Sequence, residues 1–156
     1  KDYNMKKSYI RYAIPIISSW LFLASAYGEE GLIPPDHVTK EAEIACIGLA
    51  QKYASESRRF NPDDMKKFVM EQANDCRVFL SYSIFKPNAA SIILDKIESD
   101  YGRFTPDVSE EEAKFRDYFH KNIMSGAQKA AKDKAFRDEM VTLGGFAIAS
   151  PSHRNF

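Results

Sequence analysis

Cysteine and histidine, the side chains most often recruited as nucleophiles, bases and metal ligands, are few: two cysteines, Cys46 and Cys76, and three histidines, His37, His120 and His153. The histidines fall in an N-terminal lead-in, a helical segment and the C-terminal tail, so they form no cluster in sequence. Asp117 and His120 stand three residues apart, a spacing that places a carboxylate and an imidazole on one helical face. Donors from a second helix could then complete a metal site. Pairs at this spacing are common on solvated helix surfaces and at caps, and that is the preferred reading; no metal is expected, with Asp117 and His120 as the only candidates. Glu110, Glu111 and Glu112 hold the carboxylates a glycosidase would need, but a helix start favours acidic residues without any catalytic role. There is no glycine-rich phosphate loop, no G-x-S-x-G, no H-E-x-x-H and no cysteine pair at zinc-finger spacing. The sequence therefore predicts no cofactor and no enzyme.

A nucleophilic cysteine needs exposure and a thiolate-favouring setting. Cys46 and Cys76 instead lie on the apolar stripes of two helical segments and are expected to be buried and bonded to each other. Partner-binding candidates are Tyr82 and Phe85, with Tyr101 and Phe104 at the next bend, read together as an aromatic rim at one end of a bundle. They could equally close the bundle's end as packing. Arg58 and Arg59 at a hairpin tip could meet an acidic partner, although they also suit the C-terminal end of the preceding helix.

The elements that must carry these residues read as helices throughout. Asp36 is placed to cap a first helix whose inward face is Val38, Ala42, Ala45, Cys46, Leu49, Ala50 and Tyr53. Asn61 as cap, Pro62 at the first helical position and Asp63 and Asp64 in the first turn start a second helix with Met65, Phe68, Val69, Ala73, Cys76, Phe79 and Leu80 inward. The short link between the two predicts an antiparallel hairpin. From its tip near residue 60, Cys46 and Cys76 sit at heights differing by only ~3 Å at ~1.5 Å rise per residue. A third, shorter helix starts at Pro87 and Asn88, buries Ile92, Ile93, Ile97 and Tyr101, and ends at Gly102. Ser109 and Glu112 match a capping box for a fourth helix carrying Phe115, Tyr118, Phe119, Asn122 and Ile123 inward. The tetrapeptide Ser125-Gly126-Ala127-Gln128 is expected to kink or restart it, and Gly144 and Gly145 to end the last helical segment. An apolar stretch from Phe146 would then lie across the bundle. The fold class is all-α: a single small bundle of four to five helices, its first two stapled by a disulfide.

Composition sets the wider bounds. The 156 residues are 44% hydrophobic and 13% aromatic, enough for a core and too apolar for a disordered chain. Lys and Arg (22) balance Asp and Glu (22), and no run of like charge exceeds three residues, which argues against nucleic acid as a partner. The balance conceals a leader of net +3. Met5, Lys6 and Lys7 resemble a translation start with a basic head, residues 13–26 are mostly apolar, and Ala24-Ser25-Ala26 supplies the small residues a signal peptidase accepts. Residues 1–26 are therefore expected to be a signal peptide cleaved after Ala26, and residues 27–156 an all-helical mature domain starting at Tyr27. An apolar run of 14 positions broken by Pro15, Ser18 and Ser19 falls short of the ~20 residues of a membrane span, so stable membrane insertion is not expected once the leader is cleaved. Export to a periplasm or to the exterior, where disulfides persist, predicts a small helical protein that acts by binding another protein: an inhibitor, an immunity-type protein or an accessory envelope protein. An enzyme or small-ligand carrier with an interhelical pocket, and a membrane-tethered envelope component, are the alternatives.

Overall fold

Residues 33–54, 59–60, 62–103 and 107–150 are described by a computed structural model of the chain. Helix α1 (Asp36–Tyr53) starts where Pro35, held extended at φ −56° and ψ 152°, turns its carbonyl inward to accept from the amides of Val38 and Thr39 at 3.0 Å each. The proline sets this boundary, so Asp36 occupies the first helical position rather than the cap, with its charge at the positive end of the helix. Asn61, the expected cap of the next helix, lies outside the described residues. Helix α2 (Pro62–Phe85) has Pro62 in first place and Asp63 and Asp64 in its first turn. It stops where Pro87 forces Lys86 out of helical geometry, to φ −139° and ψ 82°. A 3₁₀ turn (Pro87–Ala89) leads into α3 (Ala90–Arg103), and α4 (Glu110–Lys132) and α5 (Lys134–Ala149) complete the order. Among the described residues there is no strand, and no helix is long and apolar enough to cross a membrane.

Helix α1 is the centre of the bundle, packed against α2, α4 and α5, while α3 rests on α2 and the 3₁₀ turn. The α1–α2 hairpin is stapled as expected: Cys46 and Cys76 are bonded, with Cα atoms 5.8 Å apart. Both cysteines are buried, together with Leu49, Met65, Val69, Leu80, Phe119, Ile123 and Met140, which fill the core around them. Arg137 ties three helices at the opposite side of α1, donating from Nε to Glu41 Oε1 at 2.9 Å and from Nη1 to the Ala130 carbonyl at 2.7 Å.

The α1–α5 contact depends on two glycines. A Cβ placed on Gly48 would stand 2.0 Å from the Met140 carbonyl oxygen, and one on Gly144 would stand 1.9 Å from that of Ile44. Each backbone rests directly on the other, in an antiparallel register. This is why α5 continues to Ala149 when Gly144 and Gly145 were expected to end it. Close packing against α1 outweighs the low helix propensity of glycine. The segment from Phe146 is accordingly the last turn of α5 rather than a strap across the bundle.

Other local expectations are corrected in the same way. Helix α4 runs unbroken through Ser125 and Gly126, because Gly126 lies beneath Leu49, whose Cδ2 would be 2.6 Å from an added Cβ. The break comes at Asp133, which turns extended at φ −115° and ψ 101° and caps α5 by accepting from the Phe136 amide. At the start of α4 only half of the capping box forms. Ser109 Oγ accepts from the Glu112 amide at 3.2 Å, but the Glu112 carboxylate accepts from Nε and Nη2 of Arg116 instead of reaching back. Six residues expected inward are turned outward or to the boundary: Ile92 and Tyr118 are exposed, and Tyr53, Ala73, Tyr101 and Asn122 are half-buried.

Candidate functional site

Helices α2, α3 and α4 bring one polar cluster together around His120. Asp117 and His120 sit three apart on α4, and Glu98 and Tyr101 sit three apart on α3; run antiparallel, the two pairs meet rung by rung. Tyr101 Oη donates to Asp117 Oδ1 at 2.8 Å. Nε2 of His120 lies 3.0 and 3.1 Å from the two Glu98 carboxylate oxygens. The Tyr101 ring lies flat on the imidazole, with centroids 3.7 Å apart and planes 4° from parallel. From α2, Gln72 offers Oε1 to His120 Nδ1. His120 is buried at 5% exposure, which overturns the expectation of a solvated histidine. The Glu98 side chain remains half exposed, so the cluster has a buried floor and a wet rim.

The electrostatics of this seam are mostly negative. Asp75, one turn beyond Gln72 on α2, is pushed up from 3.8 to about 6, chiefly by burial and then by the charges of Asp100, Glu71 and Glu98. Burial and the bond to Asp117 push the Tyr101 phenol up as well, which keeps it a proton donor at any physiological pH. The nearby cations are engaged elsewhere: Lys96 pairs with Asp100 at 3.0 Å, and Arg116 pairs with Glu112 while lying 4.8 Å from the centroid of Phe68.

Chemically, this arrangement is a clasp. Asp117 and His120 do come together with a second helix's donors, but Asp117 is taken by Tyr101 and His120 by Gln72 and Glu98. Among the described residues no group of three or more His, Cys, Asp or Glu side chains is placed to hold a metal ion. An open depression of about 480 Å3 lies away from the cluster's centre, on the exposed face of α2, lined by Asp63, Lys66, Lys67, Met70, Glu71 and Asn74. No cysteine, serine, threonine or histidine lines it.

Among the described residues the aromatic candidates Tyr82, Phe85 and Tyr101 do not assemble into a rim. Tyr82 is buried, at 5% exposure, and burial pushes its phenol up; Phe85 is half-buried beside the α2–α3 turn. Tyr101 is near the far end of the 14-residue α3, ~15–20 Å along the helix from that turn. Reading both bends as one end of the bundle overlooked that an antiparallel helix carries its two ends to opposite poles. Phe104 and Arg58 lie outside the described residues. Arg59 is exposed, with its guanidinium 5.2 Å from the centroid of Phe60, whose ring in turn lies 5.5 Å from that of Phe115.

Gln72, Asp75 and Glu98 were missed as members of the cluster. Their sequence signal is slight: the i, i+3 spacing of Glu98 and Tyr101 matches that of Asp117 and His120, which only an antiparallel α3–α4 register turns into contacts. Comparison with protein families, with curated proteins and with solved structures finds no match to this chain.

Proposed function

We propose that this chain is a small exported helical protein, periplasmic or secreted, that acts by binding another protein, as an inhibitor, immunity-type or accessory envelope protein does. The observation that carries the reading is the Cys46–Cys76 disulfide in the centre of the core. A bond of this kind persists in oxidising compartments and is rare where thiols are kept reduced. The basic, then apolar, then small-residue order of residues 5–26 is the matching address in sequence, though it lies outside the described residues. Binding is favoured over catalysis because the side chains best suited to acid–base work, His120, Glu98 and Asp117, hydrogen-bond within the fold.

The test is expression of the full chain, fractionation and N-terminal sequencing, with thiol titration of the recovered protein and chemical crosslinking in the same fraction. Export predicts a processed chain starting at Tyr27 with no titratable thiol, crosslinked to one protein at fixed stoichiometry. An unprocessed chain in the reducing compartment with two free thiols would overturn export. A processed chain that crosslinks to nothing would overturn the binding role.

A further inference from the structure

The outer face of α4 turns from mixed charge to one sign along its length. From Tyr118 to Lys132 there is no Asp or Glu, and Tyr118, Lys121, Ser125, Lys129 and Lys132 recur at steps of three or four as one exposed stripe. The second half of α1 is alike: Ile44 to Ala54 holds no acidic residue and one exposed cation, Lys52. Contacts join these pieces. Tyr53 meets Tyr118 edge on, with centroids 6.5 Å apart, and Lys52 Nζ lies 5.6 Å from the Tyr53 centroid. At the start of α5 the Phe136 ring gathers two cations, with Lys129 Nζ 4.3 Å and Lys52 Nζ 5.7 Å from its centroid. Among the described residues no carboxylate pairs with Lys52, Lys121, Lys129 or Lys132. The acids at the α4–α5 corner are engaged: Asp133 caps α5, Asp138 is held by Lys134 and Glu41 by Arg137. Attraction to the negative ends of α1 and α4 accounts for Lys52, Lys129 and Lys132 in their last turns, but neither for Lys121 in mid-helix nor for the absence of any acid between them. In a chain whose 22 basic and 22 acidic residues balance, the charge has been sorted by side.

We propose that this flank is the docking surface and that its occupant is an acidic protein surface, whose carboxylates face Lys52, Lys121, Lys129 and Lys132 around the Tyr53–Tyr118 pair. The inference rests on the binding role proposed above and gives it a location and a chemistry. Like charges set side by side repel, and an acidic partner turns that repulsion into attraction and steers encounter. Phe136 holds two of the ammoniums in place beforehand, so less side-chain freedom is lost on binding. Tyrosine is a frequent interface anchor, and Tyr118 is 40% exposed. A lipid surface fits less well: Tyr118 is the only exposed large hydrophobic side chain on α1 or α4, which leaves no apolar face to enter a bilayer.

Titration of the oxidised, isotope-labelled protein with a deca-glutamate peptide at low ionic strength tests the surface, read by amide chemical shifts. The shifts should concentrate in residues 50–54 and 118–132 and spare Lys66 and Lys67, which share their face of α2 with Asp63 and Glu71. Lys52→Gln with Lys129→Gln should weaken peptide binding about five- to tenfold, and Lys52→Arg with Lys129→Arg should keep it within about twofold. No binding, shifts spread evenly over all exposed lysines, or an undiminished affinity in the Gln pair would overturn the proposal, as would an equal loss in the Arg pair. Tighter retention on phosphatidylserine vesicles than on the peptide would overturn it in favour of a membrane. Crosslinking in the export fraction separates this surface from the binding role itself. A partner captured by the wild type and lost with Lys52→Glu and Lys129→Glu supports both; one captured equally by that variant leaves the binding role standing and overturns the surface. A wild type that captures nothing overturns the binding role and the docking assignment together.

Discussion

Asp75 shows at the scale of one residue how burial becomes a pH dependence of the whole fold. Because its folded value of about 6 lies above the ordinary 3.8, the folded protein holds this proton more tightly than the unfolded chain does. Its contribution to stability is therefore fully present below about pH 4, declines as pH rises toward about 6, and is lost above that. Asp75→Asn should remove the decline and raise stability near neutral pH by on the order of 2 kcal/mol, after allowance for partial exposure, with little effect near pH 3.5. Urea unfolding of both proteins across that range checks it. A larger gain in acid than at neutral pH would refute the assignment. The residue scale is also where the sequence was least legible. Asp117 and His120 were visible as a pair on one helix, but Gln72 lies 48 residues from His120 and Glu98 lies 22 away, and no local pattern announces such partners.

At the scale of the element, the helices were legible and their internal glycines were not. The starts of α2 and α4 follow from proline, acidic first turns and the Ser109 cap, which are local chemistry. Gly126 and Gly144 look like breakers because sequence shows their propensity and not the neighbour that needs the space. Two substitutions separate the effects. Gly144→Ala should destabilise the protein by about 3 kcal/mol, since its Cβ would overlap the Ile44 carbonyl and push α5 off α1. Gly145→Ala, one position on and with nothing within 4 Å of the added carbon, should stabilise it by about 0.5–1 kcal/mol through helix propensity. Thermal melts of the two variants should move in opposite directions. Asp133→Ala provides a third comparison: losing the bond from the Phe136 amide should cost about 1 kcal/mol and loosen the α4–α5 corner, read as lowered amide protection at the start of α5.

For the whole molecule, the disulfide was the most legible long-range feature. Two cysteines on the inward stripes of adjacent helices, at matched heights from the hairpin tip, leave little freedom in where they meet. The bond closes a loop of 30 residues between α1 and α2, and replacing both cysteines by alanine should cost about 3–4 kcal/mol in the chain-entropy account. Denaturant midpoints of the double variant and the oxidised wild type measure that difference. With Cys46 at 1% exposure and Cys76 at 0%, a mild reductant should leave the native bond intact and cut it only once denaturant is added, as thiol titration would show.

The backbone contact of Gly48 with Gly144 also governs when the protein can become itself. Helix α1 finds its closest neighbour in α5, about a hundred residues later, so the hairpin it makes with α2 leaves one flank bare until the final element of the bundle has been synthesised. Contacts of such wide separation add loop-closure entropy to the folding barrier and slow the search relative to bundles whose neighbours follow one another in order. A nascent chain cut short anywhere before α5 would carry an unshielded greasy groove along its first helix, and quality control would meet it as an orphan rather than as a smaller working copy.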